Sequence, residues 1–362
     1  MPPTTTRPYF NLFWGRRPPG KPVLNREIDR CPYCRSKRIV KNGLRENKFQ
    51  IIQYYRCNAC GRLFTPQIVK HKTFPLRIIL DAVSFYNLGF TKADACRLIK
   101  EKYGLIIKSR TLNRWLAELS ELTTYKRFRE KVIKEHPPHQ LIQSAILNHQ
   151  QVYHFRFHQA KLQELFKYRP FIPKDRRKLS GYLDAIINDY PHNYFTTEKR
   201  SSGAKLQLNF NQVRVESRDS HATRLAQLVL QAVIDNRMRH DTLQQFMLVN
   251  DSVTVAMEIP IYLTPKDLRH YKEKLGFNIP LNLQNPLTGH IDLLQIRNGF
   301  FHILDFKPRA KSQKPYSQLL LYALALSRRT GLMLKQFKCA WFDENHYFEF
   351  FPLQLVHKLK KK

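Results

Sequence analysis

Two cysteine pairs constrain this chain before any other feature does. Cys31 and Cys34 form CPYC, and Cys57 and Cys60 form CNAC, with 22 residues between the pairs. Each C-x-x-C sets two sulfurs on one tight turn. Two such turns suit a single tetrahedral metal held by four thiolates, and the donor set points to structural Zn²⁺. Gly61 follows the second pair, where a positive φ is common. The intervening KFQIIQYYR alternates apolar and polar residues, as a strand entering the second turn should. So small a ribbon has little core, so metal binding, on the order of 10–16 kcal/mol, supplies most of its folding free energy. A redox dithiol needs one such pair, not two. Cys96 and Cys339, on an apolar helix face and in a strand, read as packing residues.

The rest of the chain is large enough for two or three domains and apolar enough for a real core. It has 362 residues, of which 43% are hydrophobic and 25% charged. Lys and Arg total 62 against 28 Asp and Glu, a net +34. That excess excludes an ordinary neutral metabolic enzyme as the default and favours a polyanionic partner. The first 120 residues hold 24 basic and 7 acidic residues, so half the net charge sits in the first third. No apolar run reaches the roughly 20 residues of a membrane span, and the N-terminus lacks a signal-peptide core. The expected location is cytoplasmic and nucleoid-associated, with no membrane partner.

Past Pro66 the periodicity becomes helical. Ile78, Ile79, Ala82, Val83 and Tyr86 mark a first helix that ends at Gly89. Thr91 can cap a second, with Ala95, Leu98 and Ile99 inward. Ser109 can cap a third, over 110–119, in which Leu112, Trp115, Leu116 and Leu119 share a face while Arg110, Asn113 and Arg114 lie elsewhere. Three short helices, the last presenting Arg and Asn, fit a helix-turn-helix or, equally in periodicity, a compact linker bundle. RCPYCRSKRIVKNG, QYYRCNACGRLF and SRTLNRWL together resemble the N-terminal region of insertion-sequence transposases. That resemblance implies a DNA-binding front end over 30–119, with Arg110, Asn113 and Arg114 as base or phosphate contacts.

The stretch 122–205 is rich in aromatic and basic residues. Its KDRRK cluster offers Lys174, Arg176 and Arg177 as nucleic-acid contacts. A solvated helical connector with its aromatics packed inside is the alternative.

The last third carries the chemistry. VTVAMEIPIYL reads as a strand with Glu258, LTGHIDLLQIR as a strand with Asp292, and FFHILDFKP as a strand with Asp305 and Lys307. PYSQLLLYALAL reads as a helix with Gln318 and Tyr322 one turn apart. Asp305 and Lys307, two apart on a strand, point to one side. Hairpin pairing can bring Asp292 beside Asp305. Two adjacent carboxylates repel unless a hard divalent cation such as Mg²⁺ or Mn²⁺ lies between them. Such an ion polarises a phosphate oxygen and acidifies bound water. An isolated D-x-K is usually a pair of exposed strand charges. Here both carboxylates lie in apolar strands, where burial without a partner is costly.

The order Glu, G-x-x-D, D-x-K, Q-x-x-x-Y resembles the PD-(D/E)XK nuclease superfamily, in particular its RecB-like and CRISPR-associated exonuclease-like branches. The resemblance implies metal ligation by Asp292 and Asp305, a catalytic Lys307, a supporting pair in Gln318 and Tyr322, and an acidic first-strand residue in Glu258. It also implies a metal-binding His on a preceding helix. His221, which opens HATRLAQLVLQAV, is the candidate, His240 the alternative, and a plain helix-start histidine the third reading. Several RecB-like members hold an iron–sulfur cluster with cysteines bracketing the core. Only Cys339 lies there in this chain, so zinc in the upstream ribbon is expected instead.

The expected fold is multidomain α+β. A basic extension (1–28) precedes a zinc ribbon (29–68), a helix-turn-helix (72–121) and a helical connector (122–205). An α/β restriction-endonuclease-like core follows (206–352), with a mixed sheet flanked by helices, then a basic tail (353–362). The expected function is a divalent-metal-dependent DNA endonuclease associated with a mobile element or transposition, acting as a homodimer or with recombination proteins. A catalytically inactive DNA-binding regulator or architectural protein, an exonuclease and an RNA-directed nuclease stay open. A three-carboxylate transposase of RNase-H-like fold does not account for Lys307 or the Q-x-x-x-Y helix.

Overall fold

The computed structural model describes residues 23–24, 28, 30–46, 51–65, 74–168, 173–196, 200–204, 206–208, 214–233, 235–277 and 279–356. Nearly all of the basic extension and the tail beyond 356 lie outside them. The chain divides into two compact units, one of residues 1–122 with 225–246, the other of 123–224 with 247–362.

The first unit holds a small ribbon and three short helices. In the ribbon, β3 (Ile51–Cys57) is flanked by β2 (Ile39–Glu46) on one side and by β1 (Val23–Leu24) and β4 (Leu63–Phe64) on the other. Its core is minimal: Cys31, Tyr55, Cys57 and Phe64 are buried together. The helices are α1 (Leu76–Asn87), α2 (Lys92–Tyr103) and α3 (Ser109–Glu118). Thr91 caps α2 by accepting from the Asp94 N–H, as its sequence suggests. Ser109 does not cap α3. It is the first helical residue, behind Lys108, which makes no side-chain cap bond. The buried face of α3 comes from Leu112 and Trp115, with Phe74 edge-on to the Trp115 ring at 5.5 Å. A polar link ties α1 to α2. Buried Asp81 accepts from the Tyr103 hydroxyl and lies 2.8 Å from Lys102 Nζ. Burial pushes the Asp81 carboxyl up, and Lys102 opposes that shift.

The second unit is built on one mixed eight-stranded sheet in the order β5-β6-β8-β9-β10-β11-β12-β7. The strands are β5 (Ile142–His149), β6 (Gln151–His158), β7 (Glu216–Ser217), β8 (Thr254–Leu263), β9 (Leu287–Arg297), β10 (Phe300–Phe306), β11 (Phe337–Phe342) and β12 (Tyr347–Phe350). Among the described strands of this sheet, β10 and β11 are the pair that runs parallel. Helices α4 (Lys126–Glu135), α5 (Gln159–Tyr168), α6 (Pro173–Asn188), α9 (Pro265–Leu275) and α10 (Tyr316–Thr330) belong to this unit, whereas α7 (His221–Leu230) and α8 (Arg239–Asn250), which precede β8 in sequence, lie mostly within the segment 225–246 of the first unit. The run from Leu319 to Ser327 on α10 is buried without interruption, and this helix meets β8, β9, β10 and β11. Its all-round apolar pattern reflects burial on every side.

The helical-connector expectation for 122–205 needs correcting. The stretch supplies α4, α5 and α6, but also the β5–β6 hairpin that extends the sheet. Tyr153, Phe155 and Phe157 alternate with Val152, His154 and Arg156, a period of two that buries Phe155 and Phe157. The density of aromatic and basic residues masks that alternation. Replacing Trp115 by Ala should destabilise the α1–α3 region by about 3–5 kcal/mol. Chemical denaturation followed by far-UV circular dichroism measures this.

Candidate active site and metal centre

The β9–β10 hairpin turns at Asn298 and Gly299, both at positive φ (51° and 77°), the geometry a two-residue hairpin favours. That turn fixes the register from Phe300↔Arg297 to Leu304↔Leu293. The next position sets Asp305 opposite Asp292. There the ladder stops, because the Phe306 N–H donates to Asp292 Oδ2 at 3.1 Å. Both acids are buried, at 8% exposure for Asp292 and 1% for Asp305, against a core that includes Leu294, Phe301 and Ile303. Lys307 Nζ lies 2.9 Å from Asp305 Oδ2. The two-residue spacing thus delivers the ammonium to the carboxylate. Asp305 Oδ2 is buried and makes no well-aligned hydrogen bond.

The electrostatics follow from this crowding. Burial first, then the Asp292 charge, push the Asp305 carboxyl well above the ordinary range, with Lys307 opposing. The two carboxyl groups are close enough to share a proton. Burial acts to lower the Lys307 ammonium, but Asp305 and Asp292 outweigh it and the pKa ends raised. Lys307 is therefore cationic at neutral pH.

Glu258 joins the same row from β8. It lies between the pairs Met257↔Leu293 and Ile259↔Ile291, hence opposite Asp292. Its φ is +52°, a left-handed conformation inside a central strand. Such a residue stores on the order of 1–3 kcal/mol of strain, a feature that clusters at functional sites.

From α10, Gln318 Nε2 donates to the Tyr322 hydroxyl at 2.8 Å. Burial, then Asp305 and Asp292, raise the Tyr322 pKa, so the phenol stays protonated. A Cβ at Gly289 would lie 2.7 Å from the Tyr322 ring. The glycine of G-x-x-D is thus needed for the helix to reach the strand.

Residues 188–347 match the family model of the PD-(D/E)XK nuclease superfamily. This segment is a PD-(D/E)XK nuclease superfamily domain. No curated protein and no solved structure matches the chain.

Within this nuclease domain the structure brings together Glu258, Asp292, Asp305, Lys307, Gln318 and Tyr322. It does not bring in His221. Among the described residues, no group of three or more His, Cys, Asp or Glu donors of metal-site size includes Asp292 and Asp305. His221 opens α7 and His240 lies on α8. Arg110, Asn113 and Arg114 are exposed on α3, and Arg176 and Arg177 on α6. The Lys174 side chain lies outside the described residues.

Several neighbours of the site carried no sequence signal. His149 Nδ1 lies 2.9 Å from His290 Nε2, and His149 Nε2 lies 2.8 Å from His192 Nδ1. Tyr153 stacks on His290 with centroids 3.6 Å apart. Burial, then His192, hold His149 down to about 4. Burial, then His149, hold His290 well below the imidazole range. Arg200 donates to Gln150 Oε1 at 2.8 Å and to the Tyr153 hydroxyl at 3.2 Å. Only His290, inside GHID, sits near a motif. The others lie roughly 90 to 140 residues upstream of it in sequence, and no local pattern links them.

In the ribbon, the four sulfurs of Cys31, Cys34, Cys57 and Cys60 lie within 4.8 Å of one another. Cys31 Sγ to Cys60 Sγ is 3.7 Å and Cys34 Sγ to Cys57 Sγ is 3.5 Å. A tetrahedron with the usual Zn–S length has edges of about 3.8 Å. The two turns are alike. Arg35 N–H donates to Cys31 O, and Gly61 N–H to Cys57 O, with φ of 59° and 70° after the second cysteine of each pair. Burial opposes ionisation of Cys57, yet the Cys60 and Ala59 N–H groups and the neighbouring thiols bring it down to about 6. The donor set, spacing and turn geometry all fit Zn²⁺. Purified protein should carry one zinc per chain by elemental analysis. Cys57→Ser should lose it and open the ribbon to proteolysis, while retained zinc would reject the assignment.

Proposed function

We propose that this chain is a divalent-metal-dependent DNA endonuclease whose N-terminal ribbon and α1–α3 direct it to its target. The observation that carries this reading is the buried Asp292–Asp305 pair with the Lys307 ammonium 2.9 Å from Asp305. The donors are hard carboxylate oxygens, one of them buried without a well-aligned hydrogen bond. That set suits Mg²⁺ or Mn²⁺ better than a softer metal. When bound, such an ion would polarise a phosphate oxygen and acidify its water.

The chain's own residues do the rest. Asp292 is fixed by the Phe306 N–H and Asp305 by its strand, so the ligand oxygens are held before substrate arrives. Lys307 stays an ammonium, which suits it to orient the attacking water and to balance charge developing on the phosphate rather than to accept a proton. Tyr322, a protonated phenol held by Gln318, can donate to a phosphate oxygen. Glu258 aligns on the same row from β8. His221 is proposed as a third ligand through its place at the start of α7, and it would have to swing into the group.

Support for DNA as substrate is electrostatic and topographic. The net charge is +34, and half of it lies in the first 120 residues. Arg110, Asn113 and Arg114 project from one exposed face of α3, as a groove-reading helix requires. The transposase-like motifs of that region support a mobile-element role. Among the described residues no helix is long and apolar enough to cross a membrane.

Supercoiled plasmid should be nicked with Mg²⁺ or Mn²⁺ and left intact with EDTA. Asp305→Ala and Lys307→Ala should each slow nicking by about 10²–10⁴-fold while duplex binding stays near its parent strength. Undiminished cleavage by Asp305→Ala would reject the site, and binding without nicking by the parent chain would make it a regulator.

The raised Asp305 pKa fixes the sign of a pH effect. Its folded pKa exceeds its unfolded value, so the bound proton stabilises the metal-free fold at low pH. That contribution is lost as pH rises through the raised pKa. A divalent ion competes with this proton. The rise in Tm on adding Mn²⁺ should therefore grow as pH rises through the raised Asp305 pKa and vanish in Asp305→Ala, measured by differential scanning fluorimetry.

A further inference from the structure

Sheet edges present unpaired N–H and C=O groups, and proteins blunt them with short strands, charge, proline or bulges. The two edges of the eight-stranded sheet differ in this respect. At one, β7 is two residues long and carries Glu216. At the other, β5 runs eight residues, IQSAILNH, without Lys, Arg, Asp, Glu or Pro. It pairs with β6 in unbroken register from Ile142↔His158 to His149↔Gln151. The ribbon's edge strand β2, also eight residues long, carries Lys41, Arg45 and Glu46 and a register shift between Lys41 and Leu44. In a chain whose residues are 25% charged, β5 is the long edge among the described strands that carries no charge, proline or register shift of its own.

The outward face of β5 is also apolar at its centre. Ser144, Ile146 and Asn148 alternate there in the open. Ile146 is 68% exposed, and Val152, opposite Asn148 on β6, is 60% exposed.

We infer that β5 seats a second copy of this chain, by antiparallel pairing of β5 with its two-fold mate into one continuous sheet. Nucleic acid does not suit the strand, which offers it no cation. The order Ser144, Ile146, Asn148 is polar, apolar, polar in either direction. An antiparallel copy therefore sets Ile146 against Ile146 and Ser144 against Asn148, a self-complementary contact of the kind a two-fold axis requires. Two chains of net charge +34 approach at least cost where each carries no charge. The contact does not depend on the nuclease reading, and a cleavage-dead chain forms it equally well.

The test is sedimentation velocity on the full chain freed of nucleic acid, in about 0.5 M salt, where charge repulsion is screened within a few ångström. With rising concentration the parent chain should shift from 43.1 kDa to twice that mass. Asp305→Ala should behave identically. Ile146→Lys and Asn148→Lys, both at exposed positions, should keep the parent melting curve and weaken the dimer by at least about tenfold. Amide exchange in 142–149 should slow as the parent chain dimerises. A single 43.1-kDa species at every concentration, or a dimer indifferent to both lysines with unprotected β5 amides, overturns the inference.

Discussion

Placing two carboxyl groups opposite each other inside a sheet is the constraint around which this nuclease domain is organised. At a separation of about 4 Å and an effective dielectric near 20, two such charges repel by about 4 kcal/mol, and desolvation adds to that. The fold offsets the repulsion in three ways. The Lys307 ammonium sits against Asp305, the Phe306 N–H is turned onto Asp292, and a proton is held on the pair through the raised Asp305 pKa. None of these removes the second negative charge once that proton leaves. A hard cation does, so the arrangement is most stable at neutral pH when it holds one. The tight turn at Asn298 and Gly299 and the bare backbone at Gly289 set the distances on which this balance rests.

The strain at Glu258 belongs to the same design. A left-handed residue in a buried central strand is tolerated only where its neighbours over-determine it, and β8 is held along its length by β9 and by α10. The register of β8 against β9 places this acid opposite Asp292. Rigidity here serves position: three acidic side chains come from three adjacent strands and a lysine from the end of one of them.

Much of this was legible in the sequence because the determinants are local. The cysteine pairs are two turns, each closed by a residue at positive φ, and spacing alone reveals them. The D-x-K spacing delivers Lys307 to Asp305 through the two-residue period of a strand, and Gln318 to Tyr322 follows the helical period. Non-local pairing was not legible. The β5–β6 hairpin lies about 100 residues before β8, and its alternation at Tyr153, Phe155 and Phe157 is masked by interleaved His and Arg. The histidines that converge beside the site come from three separate segments. Ser109 looks like a cap, yet α3 begins one residue earlier than capping chemistry suggests, because Thr111 and Leu112 already donate to the Lys108 carbonyl.

The two candidate metal sites differ in donor chemistry in a way that would let one chain keep two metals apart. Thiolates select zinc over magnesium, and carboxylate oxygens without nitrogen or sulfur partners do not favour zinc over the far more abundant hard cations. The histidines nearest the carboxylates could have spoiled that separation, since imidazole is a good zinc ligand. His290 stands two residues from Asp292, but its Nε2 is engaged by His149, which in turn engages His192. This chain of hydrogen bonds ties the three rings to one another. With these rings engaged by one another, the carboxylates would be left to a hard cation, while the four cysteines would hold a soft ion in the ribbon, within a separate compact unit.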